Sequence, residues 1–494
     1  MEKGSGSEYK EALLLSNNQK KNCYYESCPG CKVEEQKRLH RGLPIKNIII
    51  VWIIVLASVL PISSLFPFLY FMVRDFEIAK REEDIGFYAG YIGSSFMVGR
   101  ALTSVFWGMV ADRYGRKPVL VFGTMAVVVL NTLFGLSVNF WMAIITRFLL
   151  GSLNGLLGPV KAYAVELFHQ EHQALGIFTL IILQEAKTCL VIGPSLGGFL
   201  SQPAEKYPSV FSPDSLFGRF PYLLPCLIIS LFALVVAIGS FWIPETLHKH
   251  DSSVSESNEA LEGAGHQVGR DEVEAAETCS KQSLFKNWPL ISSIIVYCVF
   301  SLHDMAYTEI FSLWAESPRR IGGLSYSSND VGVVLAISGF GLLLFQSCLY
   351  PFIDRNFGPR LIARVGGVVS IPLLTSYSYI ATSSGITLSL LLNCASVMKN
   401  VLSVSIVTAM FMLQNKAVDQ NQRGAANGLA MTTMSIFKAI APAGGGTLFS
   451  WAQTRQDAAI LPGSQMVFFV LNVVEAIGVL LTFKPFLVER QSAK

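Results

Sequence analysis

The stretch Gly108-Met-Val-Ala-Asp112-Arg113-Tyr-Gly115-Arg116-Lys117 is a short charged turn between two long apolar segments, and apolar segments of that length recur twelve times between Ile48 and Val488. A helix crosses a bilayer with about 20 mostly apolar residues. Candidate spans fall at 48–72, 86–111, 118–138, 140–163, 174–200, 221–243, 289–314, 328–353, 360–382, 384–413, 424–450 and 465–487. The expected fold class is an all-α membrane protein with twelve transmembrane helices in two six-helix halves.

Composition agrees. The 494 residues are 51% hydrophobic and 15% charged, with a mean hydropathy of +0.46. A soluble chain carries about 25% charged residues, so lipid is the main solvent. The net charge of +3 gives no reason to expect a nucleic-acid partner. The positions of the basic residues are more informative, because cytosolic loops collect Lys and Arg. Lys32, Lys37, Arg38, Arg41 and Lys46 precede the first span, Arg113, Arg116 and Lys117 follow the second, and Arg355, Arg360 and Arg364 follow the eighth. The first connection instead mixes Lys80 and Arg81 with Glu77, Glu82, Glu83 and Asp84. This pattern predicts cytosolic N- and C-termini. The polar first 47 residues predict no cleavable signal peptide.

The organisation expected is a cytosolic tail over 1–47, a six-helix half over 48–243, a linker over 244–288, a second half over 289–488 and a tail over 489–494. The linker is polar and lacks apolar periodicity. The halves echo each other. Asp112-Arg113 is matched by Asp354-Arg355, followed by Gly358-Pro-Arg360, and Gly193-Pro194-Ser-Leu-Gly197-Gly198 by Ala441-Pro442-Ala-Gly444-Gly445-Gly446. Parallel six-span repeats are a transporter architecture.

The chemistry of these motifs is mechanical. Gly108 permits close helix approach and Gly115 a tight turn. Asp112 can stabilise a helix N-terminus or pair with an arginine, and Arg113, Arg116 and Lys117 can meet anionic headgroups or carboxylates of the other half. Gly193, Pro194, Gly197 and Gly198 suggest a hinge. Ionisable residues inside spans are costly and are functional candidates by default. Asp304 and Glu309 are expected to carry coupled protons, and His303 to relay a proton or bind substrate; Arg147, in Arg147-Phe-Leu-Leu-Gly151, joins them. Tyr307, Asn154, Asn393, Lys399 and Lys438 are candidate cavity residues, with polar helix packing an equal reading for the asparagines. Cys28-Pro-Gly-Cys31 and His248-Lys-His250 together offer four ligands suited to Zn²⁺.

The charged string matches the best-known motif of the major facilitator superfamily at every defining position, and Arg147 matches its span-four motif. The Gly193–Gly198 run resembles the end of that superfamily's antiporter motif. The preceding turn, Gln184-Glu185-Ala-Lys187-Thr-Cys189, departs from the usual small-residue pattern. With Cys28-Pro-Gly-Cys31, Pro244-Glu-Thr-Leu-His248-Lys-His250 and Gln420-x-x-Arg423-Gly-Ala-Ala-Asn427-Gly, the chain resembles the plant zinc-induced facilitator-like family. The resemblance implies a proton-coupled carrier of a small polar solute, a metal chelator of the nicotianamine or phytosiderophore type, serving zinc and iron homeostasis. It implies no cofactor beyond a regulatory Zn²⁺. The partners expected are the solute, protons and the lipid bilayer, the chain a monomer, and its address the vacuolar membrane ahead of the plasma membrane. Alternatives are a carrier of potassium, auxin or drug-like solutes, or a non-transporting membrane sensor. No enzyme motif is present: there is no His-Glu-x-x-His, no Gly-x-Ser-x-Gly and no phosphate-binding loop.

Overall fold

A computed structural model describes residues 28–39, 45–154, 159–160, 163, 167, 187–247, 286–418 and 423–488. Its helices are α1 (Pro29–Leu39), α2 (Ile45–Ser63), α3 (Phe66–Asp75), α4 (Ile85–Tyr114), α5 (Arg116–Gly135), α6 (Phe140–Leu153), α7 (Lys187–Leu200), α8 (Pro203–Lys206), α9 (Leu216–Arg219), α10 (Leu223–Ser240), α11 (Trp288–Glu316), α12 (Ser328–Cys348), α13 (Tyr350–Ile380), α14 (Gly385–Lys416), α15 (Arg423–Gln453) and α16 (Ser464–Leu481). No strand occurs among the described residues.

Seven of these helices are long and apolar enough to cross a membrane individually, and the bent pair α2–α3 makes an eighth span. The other expected spans differ for physical reasons. α4 and α15 have 30 and 31 residues, ample length at about 1.5 Å per residue, but they carry Gly, Ser and Thr where they pack on one another. α6 and α7 end beside residues outside the described set. Large apolar side chains such as Leu102, Trp141, Val235, Phe340, Ile386 and Leu480 are exposed around the bundle, the surface lipid requires.

The expected first span, 48–72, is broken. α2 and α3 meet at 41° at Ser64-Leu65, between Pro61 and Pro67. Leu65 N–H bonds the carbonyl of Ile62 at 3.3 Å instead of continuing the α-helical ladder to Pro61. The Pro61 carbonyl is therefore left for another donor.

The turn between α4 and α5 rests on Gly115, whose φ of 115° and ψ of 158° are barred to residues with a β-carbon. The exposed N-terminus of α5 is capped by Glu245, which accepts from the backbone N–H of Arg116 at 2.9 Å and of Lys117 at 3.0 Å. Glu245 also accepts from Thr246 and Leu247 N–H, and Lys117 Nζ donates to the Phe241 carbonyl at 2.6 Å. Residues 244–247, expected in the linker, thus close the first half. α13 repeats the device. It breaks at Gly358 (φ 71°, ψ 158°), and Arg364 Nη2 donates to the Thr482 carbonyl at 2.7 Å beyond α16. The echo seen in sequence is an echo in backbone geometry.

The two ends of the bundle differ. At the end opposite Gly115, where Glu82 lies, one apolar core runs across both halves, joining Phe68, Met72 and Ile92 to Ile310, Trp314 and Val331. At the Gly115 end the core divides, one cluster around Val51, Leu120 and Ala233 and another around Tyr297, Ile406 and Met410. Among the described residues, Ala439 is the one buried second-half residue in the former. The seal at the Glu82 end depends on missing side chains. A β-carbon on Gly90 would collide with the Pro442 carbonyl, one on Gly446 with the Gly86 carbonyl, and one on Gly198 would stand 2.6 Å from the Ser328 carbonyl. Gly108 and Gly428, nearer the Gly115 end of the same α4 and α15, have nothing within 4 Å among the described residues. Among the described residues the bundle is shut at the Glu82 end and parted at the Gly115 end.

Two expectations follow. Glu245→Ala removes the cap of α5 at a cost of about 1–2 kcal/mol and should lower the thermal midpoint, Glu245→Gln less so; an unchanged midpoint for Glu245→Ala would contradict the capping role. Gly90→Val wedges the seam, at about 1–3 kcal/mol. It should raise the reactivity of a cysteine substituted for Ser94, while Gly108→Val, facing open space, leaves it unchanged.

Candidate functional site

α6 reaches the centre of the first half because Gly99 of α4 and Gly151 of α6 interlock. A β-carbon on Gly99 would strike the Phe148 carbonyl, and one on Gly151 the Phe96 carbonyl. Trp107 Nε1 and Thr103 Oγ1 both donate to the Ser152 carbonyl, at 2.6 and 2.8 Å. One turn before Gly151, Arg147 is 1% exposed. Its Nη1 donates to the freed Pro61 carbonyl at 2.8 Å, and its guanidinium lies 4.0 Å over the Phe134 ring. A cation in this position seals the break in the first span.

Glu309 of α11 lies across the half boundary from Arg147 and is also 1% exposed. Neither carboxylate oxygen has a hydrogen-bond partner among the described residues. Its Oε2 stands 3.0 Å from where a β-carbon on Gly93 would sit, so the glycine of α4 makes room for it. Glu309 and Arg147 feel each other's charge. Lys438 of α15 has no hydrogen-bond or ion-pair partner among the described residues. At 100° per residue it points away from the lipid-exposed Ile436 and Ile440 of its helix. The three charges come from α6, α11 and α15.

The other candidates of α11 turn into the second half. His303 Nδ1 is 2.8 Å from Glu475 Oε2 of α16, both side chains 1% exposed. Asp304 accepts from the Ser403 hydroxyl of α14. Tyr307 and Tyr377 share a hydroxyl bond of 2.7 Å, and Lys399 Nζ lies 4.9 Å from the Tyr307 ring centre. This is one polar cluster joining α11, α13, α14 and α16. Asn154 and Asn393 take the packing role: Asn154 Nδ2 donates to the Ser58 carbonyl at 3.0 Å, and Asn393 Nδ2 to the Ser389 carbonyl of its own helix at 2.8 Å.

The remaining motifs are placed as follows. α7 is continuous across Pro194, and its glycines serve contact. Gly193 and Gly197 abut Ser63 and Ser64 at the break of the first span, and Gly198 abuts α12. Gln184–Ala186 lie outside the described residues. Asp112 pairs with Arg116 one turn on, leaving the helix N-terminus to Glu245 rather than to itself. The Arg113 guanidinium sits 5.6 Å from the Tyr114 ring, and Gly108 makes no close approach in this conformation. Cys28 and Cys31 are buried at the start of α1. His248 and His250 lie outside the described residues. Among the described residues no three His, Cys, Asp or Glu side chains group as metal ligands.

Arg100 within α4, the capping role of Glu245 and the contacts of Lys206 are features that sequence reasoning missed. A cavity of about 930 Å³ lies between α4, α6 and α15, lined by Tyr91, Ser95, Phe148, Ile440, Thr447 and Trp451. Its wall is apolar and Ile440 and Trp451 are exposed to lipid, so it is a crevice on the membrane face, separate from the charged centre.

A family model described as Major Facilitator Superfamily matches residues 51–442. The chain is 61% identical to Protein ZINC INDUCED FACILITATOR-LIKE 1 of Arabidopsis thaliana, over 98% of this chain and 99% of that protein. It is 60% identical to Protein ZINC INDUCED FACILITATOR 1 of the same plant, over 97% and 98%. Among solved structures, a bacterial homolog of the human lysosomal transporter Spinster in an inward-facing, unoccupied conformation superposes with a TM-score of 0.66 at 15% identity, covering 92% of this chain and 100% of that one, a likeness of fold. The chain belongs to the major facilitator superfamily and, within it, to the zinc-induced facilitator family, and is a multi-pass membrane transporter, not an enzyme.

Proposed function

We propose that this transporter is a proton-coupled carrier of a small zwitterionic metal chelator of the nicotianamine or phytosiderophore type, working in zinc and iron homeostasis at the vacuolar membrane. The observation that carries the proposal is Glu309, a buried carboxylate without a hydrogen-bond partner among the described residues, set across the half boundary from Arg147. Such a group is stable in a bilayer only when protonated or paired with a cation, which is the requirement on a coupling residue. The zinc-linked names of the two Arabidopsis relatives support the physiological setting.

In this reading the Gly115 end, with Arg113, Arg116, Lys117, Arg355, Arg360 and Arg364, faces the cytosol, as do both termini. The cargo enters there with its carboxylates directed to Arg147 and Lys438 and its ammonium to Glu309. Binding expels the Glu309 proton to the cytosol. The halves, 48–243 and 289–488, then rock about the site, α4 closing on α15 near Gly108 as the contacts at Gly90 and Gly446 part. On the other side a proton from the acidic lumen replaces the ammonium and the cargo leaves, giving antiport. His303, Asp304 and Lys399 with Tyr307 are assigned to holding α11 against its own half while it moves.

The test uses vesicles holding the purified carrier, an imposed pH gradient and nicotianamine, free Zn²⁺ or K⁺ as solute. Glu309→Gln should lose gradient-driven accumulation of the chelator by at least about tenfold, a loss of about 1.4 kcal/mol of coupling, while solute exchange without a gradient persists. Asp304→Asn should keep gradient-driven uptake. The assignment fails if Glu309→Gln accumulates solute like the parent, and moves to Asp304 if that variant alone loses the response.

Cys28 and Cys31, both buried, would supply the thiolate half of a regulatory Zn²⁺ site that His248 and His250 would complete; when bound, the metal would cross-link the N-terminal helix to the segment after α10. Replacing His248 and His250 should abolish Zn²⁺ protection of the Cys28 and Cys31 thiols from alkylation, and replacing all four should leave basal transport intact. Complete loss of transport at normal membrane levels would contradict a purely regulatory role.

A further inference from the structure

The connection after α7 carries an arrangement that the proposed coupling does not use. Gln202 adopts a left-handed conformation, φ 54° and ψ 51°, and directs its N–H to the Pro221 carbonyl at 2.8 Å. The last carbonyls of a helix have no intrahelical partner, and this diversion denies Gly198 the N–H that would otherwise continue its ladder. Lys206, the last residue of α8, fills the gap. Its Nζ donates to the Gly198 carbonyl at 2.6 Å, to Ser201 Oγ at 3.1 Å and to Ser328 Oγ at 2.7 Å. Ser201 and Ser328 are buried and their hydroxyls lie 3.1 Å apart.

The first two acceptors belong to the first half of the chain and the third opens α12 in the second. All three donors of the ammonium are therefore satisfied only while the Glu82 end is shut. The carboxylates of Glu205, Glu316 and Asp330 are the charges that act on Lys206, the last two from the second half. Burial pushes the Lys206 ammonium down to about 8, with those carboxylates opposing the fall, so it remains charged at pH 7. Further ties across this end, among them Arg320 with Glu82, the Ser450 hydroxyl with the Glu83 carbonyl and Ala443 N–H with Ser94 Oγ, differ in setting. The Arg320–Glu82 pair is exposed, and exposed pairs contribute little.

We propose that Lys206 is the latch of the Glu82-side gate, a positioning residue that holds α7 to α12 and must release Ser328 each time the carrier opens to that side. It sits where the Gly198 and Gly332 backbones meet, the β-carbon position of Gly198 being 3.0 Å from Gly332 Cα. A single ammonium there spans a close approach of the two halves. The inference needs alternating access but not proton coupling at Glu309, so either can fail alone.

The test is hydrogen exchange of the full-length carrier in lipid nanodiscs, read at 194–202 and 326–334 on the Glu82 side and at 106–121 on the Gly115 side. Lys206→Met keeps the apolar stem and removes the donors. It should speed exchange of the two Glu82-side segments about tenfold, the loss of charge-assisted bonds, with 106–121 unchanged or slower. Lys206→Arg should restore the parent pattern, and Ser328→Ala should speed the same two segments to a smaller extent. If Lys206→Met does not fold, Ser328→Ala decides the matter. Unchanged exchange, equal loosening at both ends, or no rescue by arginine would overturn the latch.

Discussion

A full positive charge in the middle of a bilayer has to be answered by the protein around it, and Arg147 sets terms that much of this structure meets. Desolvating a guanidinium costs several kcal/mol unless its donors and charge find partners. The first span breaks between Pro61 and Pro67, and the freed Pro61 carbonyl takes one donor at 2.8 Å. The Phe134 ring takes the face of the cation. Glu309, the nearby carboxylate that acts on it electrostatically, belongs to the other half of the chain. The charge at the centre thus faces a carboxyl group across the boundary that an alternating-access carrier moves.

The same boundary is shaped by absent side chains. Gly86, Gly90, Gly198, Gly332 and Gly446 bring backbones together at the Glu82 end, at distances that a methyl group would forbid. In antiparallel helices, continuing the register of α4 on α15 carries Gly108 toward the region of Gly428, where both now face open space. One pair of helices therefore holds a used contact face at one end and an unused one at the other. Rigid-body motion between two packed arrangements needs such a surface. Arg147 and Glu309 lie between the ends.

Much of this was legible in the sequence. Apolar lengths and the Asp-Arg-x-Gly-Arg turn point to the fold, and the Gly358 echo has the same ψ of 158° as Gly115. Arg147 and Glu309 stand out because ionisable residues in spans are few. What sequence could not supply was partnership across helices. His303, Asp304, Tyr307 and Glu309 share seven residues of one helix, yet only Glu309 has its carboxylate beside Gly93 on the seam. Glu245 sits within a run that suggests metal chemistry, and only the meeting of α5 with the end of α10 makes it a helix cap. Asn154 and Asn393 could have faced a cavity or a neighbouring helix, and spacing alone does not choose.

The central claim is that cargo and proton compete for one carboxylate, Glu309. The most direct test is to add chelator to the purified carrier in weakly buffered solution and follow pH with an indicator dye. Binding should release a proton from the parent protein and none from Glu309→Gln, provided that the variant still binds the chelator by calorimetry. Proton release that persists in Glu309→Gln, or binding by the parent with no release at any pH, would contradict the account.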